Sequence, residues 1–349
     1  MDSSFDLLTL ALLPALPSRA RHELARRGPL AEALERPGAH ADVFGEPAVA
    51  ALRTGAARRR AADEARRAAA LGVRLLGRDE DGYPEWLRRT YDPPPVLWVR
   101  GTMAADEGET AVAVVGARAA TGLGLALART LARDLASAGV TVVSGLARGI
   151  DTAAHQGALE ARGRTVAVLG SGLDALYPAE NAALARRIEE DGAVVSEFPL
   201  GTPPLKPNFP RRNRTIAGWA RATVVVEAGR RSGALSTARA ALDEGREVMA
   251  VPGHPSQPNA QGTNGLLRDG AALVRGAPDV LAELGLAPAQ RARVPADEIL
   301  AALTRGVPAS VDEIQARCGL ALPALVARLA ELELGEEIVR LPGALFVRS

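Results

Sequence analysis

A chain of 349 residues is long enough for two or three domains, and an apolar content of 47% makes it a folding sequence rather than a disordered one. A net charge of +1 excludes a protein that holds polyanions through its overall field, so any such binding must come from a local patch. Aromatic residues make up only 3%, which excludes a broad stacking surface, and the lone cysteine, Cys318, excludes an intramolecular disulfide and a thiolate metal cluster.

The first 68 residues read as a small helical domain. Short amphipathic runs alternate with Pro and Gly stops, followed by the helix-forming stretch "AALRTGAARRRAADEARRAAALG". The apolar start "FDLLTLALLPALP" lacks a basic flank and is broken by Pro14 and Pro17. It is expected to be neither a secretory signal nor a membrane span. With a single thiol, a cytoplasmic location is expected. A triple proline then leads into a strand at 96–100.

From residue 110 short apolar runs alternate with helix-length segments. Strands are expected at 110–116, 141–145, 165–170, 193–198, 223–228, 247–253 and 271–274. Continuous apolar strands separated by helices predict a doubly wound, mostly parallel α/β sheet, a core spanning residues 69–288. The Pro- and Arg-containing "LAPAQRARVPA" reads as a linker. Three short helices and two strands around "PG" then predict a winged-helix-like domain over 289–349, a layout suited equally to DNA and to protein contact.

In a doubly wound fold, ligands lie beyond the carboxyl ends of the strands, where helix N-termini offer amides to anions. The first such turn, "VVGARAATGLG", has glycines at 116, 122 and 124, which is not dinucleotide spacing. Nor does the next strand end in a ribose-binding acid, so no nicotinamide or flavin cofactor is expected. Gly116 and Arg118 in this turn suit an anion. The second turn places Ser144, Gly145 and Arg148 at a strand end, followed by Asp151 and His155 on one helix face. That pair reads either as an acid–base or metal site or as a helix cap plus a hydrogen-bonded histidine. The second is favoured, because no third ligand is in reach and no metal is expected.

Ser232, Gly233 and Thr237 open another helix and offer a phosphate cradle. There is no G-K-[ST] loop, so nucleotide hydrolysis has no support. In "PPLKPNFPRRNRTIAG" the chain's single lysine, Lys206, shares a Pro-bounded loop with Phe209, and Arg212, Asn213 and Arg214 sit where a helix begins. Cations along a backbone with an aromatic for a base is the pattern of single-stranded nucleic-acid binding.

The ordered runs "VVGARAATGLG", "VVSGLARGIDTAAHQGAL", "TVAVLGSGLDALYPAENAAL", "FPRRNRTIAG", "VVVEAGRRSGALSTARAALDEG" and "QGTNGLLRDGAALV" resemble the DNA-processing protein A (DprA/Smf) family over about residues 75–275. The resemblance implies an extended Rossmann-like core, a non-enzymatic protein that protects incoming single-stranded DNA and loads RecA recombinase in natural transformation. It also implies a homodimer, with single-stranded DNA, RecA and single-strand-binding protein as partners and no membrane partner. The family's pocket arginine falls on Arg118, its loop lysine on Lys206 and its base-contacting aromatic on Phe209. Its R-N-R element falls on Arg212, Asn213 and Arg214, and its later phosphate-contacting turn on Ser232, Gly233 and Thr237. The N-terminal helices resemble the family's sterile-alpha-motif-like (SAM-like) domain, but "LPALP" stands where many members carry L-P-G-[IV]-G. The alternative is a nucleotide-processing hydrolase on a related Rossmann-like fold. Against it, "VPGHPSQPNAQGTNGLL" separates PG from GT and lacks the following glutamate.

Overall fold

The computed structural model describes residues 3–286 and 298–348, apart from positions 15, 17, 105–107, 109, 305, 321, 335–336, 342 and 344. The chain forms two compact units, Met1–Ala289 and Gln290–Ser349. Most of the expected linker, 287–296, lies outside the described residues.

The first unit opens with helices Ser3–Ala11, Ser18–Arg27, Leu30–Glu35, Ala41–Phe44, Glu46–Arg53 and Ala56–Ala70. Leu10, Leu24, Leu34, Phe44 and Val49 give them a core of their own. Leu7, Leu8, Ala61 and Ala68 instead pack with residues of the sheet described next. The joint is closed by a buried carboxylate. Glu64 accepts from Trp98 Nε1 at 2.8 Å and from the Leu200 amide at 2.7 Å, so a charge that would be costly to bury alone is satisfied.

Among the described residues nine strands form one sheet: β1 Arg74–Gly77, β2 Val96–Gly101, β3 Val112–Val115, β4 Val142–Ser144, β5 Thr165–Leu169, β6 Ala193–Ser196, β7 Ala222–Val225, β8 Glu247–Ala250 and β9 Ala272–Leu273. Their order is β1-β2-β6-β5-β4-β3-β7-β8-β9. From β6 to β9 every pairing is parallel, whereas β1 and β2 add an antiparallel edge. The expected doubly wound, mostly parallel class is the one observed. Its central strands, β3 to β7, are buried at every residue and mostly apolar because both faces are covered. Val115, Val143, Val166 and Trp219 lie in one layer, Val112, Val114, Leu131 and Ile150 in the other. Strand β1 is absent from the reading of the sequence: four residues between Gly72 and Gly77 are too short to show a period.

Helices Gly122–Ser137 and Ile150–Glu160 cross closely on one face of the sheet. The crossing depends on Gly157, where an added Cβ would fall on the carbonyl oxygen of Arg129. No described helix is long and apolar enough to cross a membrane.

The second unit contains helices Glu298–Ala302, Val311–Cys318 and Leu322–Leu334 and strands β10 Ala309–Ser310, β11 Ile338–Leu341 and β12 Leu345–Arg348, paired antiparallel in the order β10-β12-β11. Ile299, Ile314, Leu325, Leu329 and Phe346 form its core. A reciprocal capping box, Ser310 with Glu313, starts the second helix.

Two glycines test the helix packing in opposite directions. Gly157→Ala should destabilise the protein by about 1–3 kcal/mol, because the obstructing atom is backbone and cannot yield. Gly265→Ala, on helix Gln261–Arg268 with open space around it, should stabilise by about 0.5–1 kcal/mol. Urea midpoints at unchanged m-value read both, and equal shifts for the two would disprove the close crossing.

Candidate nucleic-acid interface

Strand β3 pairs with β4 on one side and β7 on the other, so the chain order reverses at this point of the sheet. The carboxyl ends of these strands diverge there into a crevice of about 560 Å³, where the doubly wound fold predicts a ligand.

One wall is the turn after β3. The Ala117 amide donates to Glu227 O at 2.7 Å, and the carbonyl of Ala117 accepts from the Ile150 amide at 3.2 Å. Thr121 caps helix Gly122–Ser137, accepting from the Gly124 amide at 3.0 Å. The Thr121 amide and hydroxyl in turn donate to the Glu227 carboxylate, the amide at 2.9 Å. Asn259 Nδ2 donates to Ala119 O at 2.8 Å and to the same carboxylate at 3.3 Å. The turn is therefore fixed at both ends, while the Arg118 side chain is exposed. Its Cζ stands 5.2 Å from the centroid of the Phe209 ring, a cation–π contact.

The floor comes from the β4 turn. Gly145 accepts through its carbonyl from Arg212 Nη1 at 2.6 Å, and a Cβ there would collide with that guanidinium. Asp151 does not cap its own helix. Its carboxylate accepts from the Gly145 and Ala147 amides of the preceding turn, at 3.1 and 3.3 Å. Burial pushes this carboxyl upward, opposed by the Arg212 charge and the two amides. Ser144 is fully buried, its hydroxyl donating to Val114 O at 2.7 Å. Arg148 is exposed but held by Glu180 through two bonds, at 2.6 and 2.7 Å. His155 faces the core, its Nδ1 2.7 Å from Thr165 Oγ1. It shares no hydrogen bond with Asp151, so the two do not make an acid–base pair.

The helix that carries Phe209 begins at Asn208, four residues before the expected start. Pro207 occupies its N-cap and Pro210 lies in its first turn, where a missing N–H costs nothing. Phe209 is thus on the helix rather than in the loop. Its half-buried ring has the guanidiniums of Arg118 and Arg212 at 5.2 and 5.8 Å and the Tyr177 ring at 6.2 Å. Arg212 is only 4% exposed, donating from Nη1 to Gly145 O and Val168 O, both at 2.6 Å. Burial lowers its pKa to about 10, partly countered by Asp151. Asn213 donates from Nδ2 to Ser236 Oγ at 2.7 Å. Lys206 and Arg214 are exposed and lie outside the crevice lining.

The far wall is the start of helix Gly233–Asp243. Ser232 caps it, accepting from the Ala234 amide at 3.3 Å, and Gly233 is exposed. This end carries partial positive charge into the crevice. Thr237 is buried at the back of the crevice.

The crevice therefore gathers Gly116, Arg118, Phe209, Arg212, Asn213, Ser232, Gly233 and Thr237. Gly145 and Arg148 border a smaller cavity beside it, and Ser144 reaches neither. Sequence reasoning missed Arg231, Asn259 and Glu227. Arg231 lay within the quoted "EAGRRSG" but was not singled out in an arginine-rich chain. Asn259 and Glu227 gave no local signal, because they bond to a turn more than a hundred residues away. Among the described residues no group of three or more His, Cys, Asp or Glu could hold a metal ion.

Residues 74–285 match the family described as DNA recombination-mediator protein A, and residues 286–344 match the DprA winged helix domain. The chain belongs to this family. Protein Smf of Escherichia coli K12 is 43% identical over 285 residues, which is 77% of this chain and 76% of that protein. DNA processing protein DprA of Bacillus subtilis is 38% identical over 213 residues, 61% of this chain and 72% of that one. The X-ray structure of Streptococcus pneumoniae DprA superposes with a TM-score of 0.70 at 34% identity, covering 80% of this chain and 97% of the other. A structure of the Helicobacter pylori family member, described for that protein's single-stranded DNA binding mode, gives 0.52 at 29%, covering 58% and 92%. The winged-helix match agrees with the three helices and small sheet of the second unit.

His155 makes this region of the family core sensitive to acid. The Thr165 hydroxyl donates to Val142 O at 2.7 Å, so the tautomer that satisfies both contacts carries its proton on Nδ1. Nε2 is then a buried atom with no hydrogen-bond partner, and burial together with the nearby Arg212 charge lowers the pKa from 6.5 to about 3. The folded state refuses a proton that the unfolded chain accepts. Stability is therefore complete above pH 6.5 and falls between 6.5 and about 3, by up to ~1.4 kcal/mol per unit. Asp151 contributes with the opposite sign, so the comparison is between wild type and His155→Gln. Urea unfolding at pH 7, 6 and 5 should show a shallower loss in the variant, and parallel curves would contradict this account.

Proposed function

We propose that this protein binds single-stranded DNA in the crevice at the carboxyl ends of β3, β4 and β7, protects it, and loads RecA recombinase onto it in natural transformation. The observation that carries the reading is the convergence of exposed Arg118, an aromatic ring beneath it and a helix N-terminus on one crevice. Single strands need this combination of cations for the backbone and a ring face for the base. Arg231 adds a second exposed guanidinium inside the crevice, and Lys206, in the turn before the Phe209 helix, and Arg214, on that helix, add exposed positive charge outside it. The family and the DNA-binding relative from Helicobacter pylori support the same reading. The role is one of binding and transfer without catalysis, carried out in the cytoplasm by a homodimer, with single-strand-binding protein as a further partner.

The test is a gel shift with single- and double-stranded oligonucleotides across a salt series. Single strands should be preferred, with log K falling at about −0.7 per phosphate engaged. Arg118→Ala and Lys206→Ala should each weaken binding several-fold and flatten the slope by about one contact. Phe209→Ala should cost ~1–3 kcal/mol. RecA-filament nucleation on coated DNA tests the transfer step. Unchanged binding and slope in all three variants would sink the site assignment.

A further inference from the structure

Between β5 and helix Ala182–Asp191 runs a loop, residues 170–181, to which the crevice reading assigns no role. Tyr177 stands on it with 41% of its surface exposed, its ring centroid 6.2 Å from that of Phe209 and the planes tilted by 58°. A small cavity between them is walled by both rings, Pro178 and the guanidinium-bearing side chains of Arg118, Arg148 and Arg212. The chain has five phenylalanines and three tyrosines in all, so one of each at a single cavity brings together two of its scarce side chains.

The two rings differ in what they offer. Phe209 is sheltered, with two guanidiniums near its ring and its edge packed over Gly170. Among the described residues no cation stands over the Tyr177 ring, and the residue keeps 41% of its surface exposed. The loop beneath it is nevertheless rigidly held. Asn181, buried, donates from Nδ2 to Leu146 O at 2.8 Å and to Thr152 Oγ1 at 2.9 Å. Glu180 takes both bonds from Arg148. A ring carried on a loop already held in place loses less entropy on binding, which favours a stacking platform.

We propose that Tyr177 is a second base-stacking platform, receiving on its exposed face the unpaired nucleobase next to the one held at Phe209. Arg148, bound to Glu180, is a positioning residue for this platform rather than a phosphate ligand. The inference rests on the crevice reading above and adds a second base to it. A ring face accepts any base, so the subsite confers no sequence preference.

Fluorescence anisotropy with labelled oligothymidylate tests it, using the full chain. Tyr177→Ala should weaken binding about five- to tenfold, and Tyr177→Phe, which keeps the ring, should restore it. Oligonucleotides carrying one abasic position at successive places supply a readout that a structural role would not move. Wild type should be sensitive at two neighbouring nucleotides and Tyr177→Ala at one. If Tyr177→Ala binds like wild type while Arg118→Ala and Phe209→Ala weaken, the platform is refuted and the crevice stands. Equal losses in Tyr177→Ala and Tyr177→Phe would refute stacking in favour of the hydroxyl. If none of these variants changes affinity, the crevice reading falls with it.

Discussion

A guanidinium withdrawn from water must find acceptors, and Arg212 finds them on the ends of two strands. Its Nη1 donates to Gly145 O after β4 and to Val168 O in β5, which fastens helix Asn208–Trp219 across the open end of the sheet. Removing one partner of such a buried, charged network leaves the other groups unsatisfied, a cost of several kcal/mol. The acceptor at Gly145 is reachable only because no Cβ intervenes. From this one tie follow the position of Phe209 above it, the floor of the crevice and the placing of a buried positive charge beneath that crevice. Asp151 compensates that charge and orders the β4 turn with the same carboxylate.

A carboxylate beside a crevice lined by exposed arginines looks contradictory until its hydrogen bonds are counted. Glu227 accepts from the amide and hydroxyl of Thr121 and from Asn259. Its lone pairs are directed at the turn after β3 and not at the cavity. The crevice thus separates side chains that hold from side chains that are offered. Glu227, Asp151, Asn259 and Arg212 define its shape, whereas Arg118 and Arg231 stay exposed. Preorganisation of this kind leaves less to be ordered when a ligand binds.

The parallel strands were legible because burial on both faces leaves uninterrupted apolar runs, as in "VAVV" of β3. The crevice was legible to the extent that its residues sit at strand ends, a consequence of topology that needs no side-chain detail. Long-range pairing was not legible. Arg148 and Arg118 look alike in sequence, yet Glu180, 32 residues further on, takes up the first and leaves the second exposed. The start of the Phe209 helix was displaced because proline signals both a break and a first helical turn, and here Pro207 and Pro210 serve the second purpose. Tyr177 lay within a quoted family run but was not singled out, since its neighbour Phe209 lies more than thirty residues away in the chain.

The near balance of 42 basic and 41 acidic side chains then takes on a spatial meaning. Over much of the surface arginines sit within reach of carboxylates, as in Arg27 with Asp42, Arg129 with Glu160 and Arg275 with Asp279. Around the crevice Arg148 and Arg211 are still paired, with Glu180 and Glu197, but four other cations are not. Arg118, Arg231, Lys206 and Arg214 form no ion pair among the described residues, and the carboxylates nearby, Asp151 and Glu227, are occupied by backbone and side-chain donors. A protein of almost zero net charge can therefore present a local positive field without a general affinity for polyanions. On the proposed reading its contact with them is confined to a surface that also supplies ring faces, so electrostatic attraction and base stacking would act at the same place.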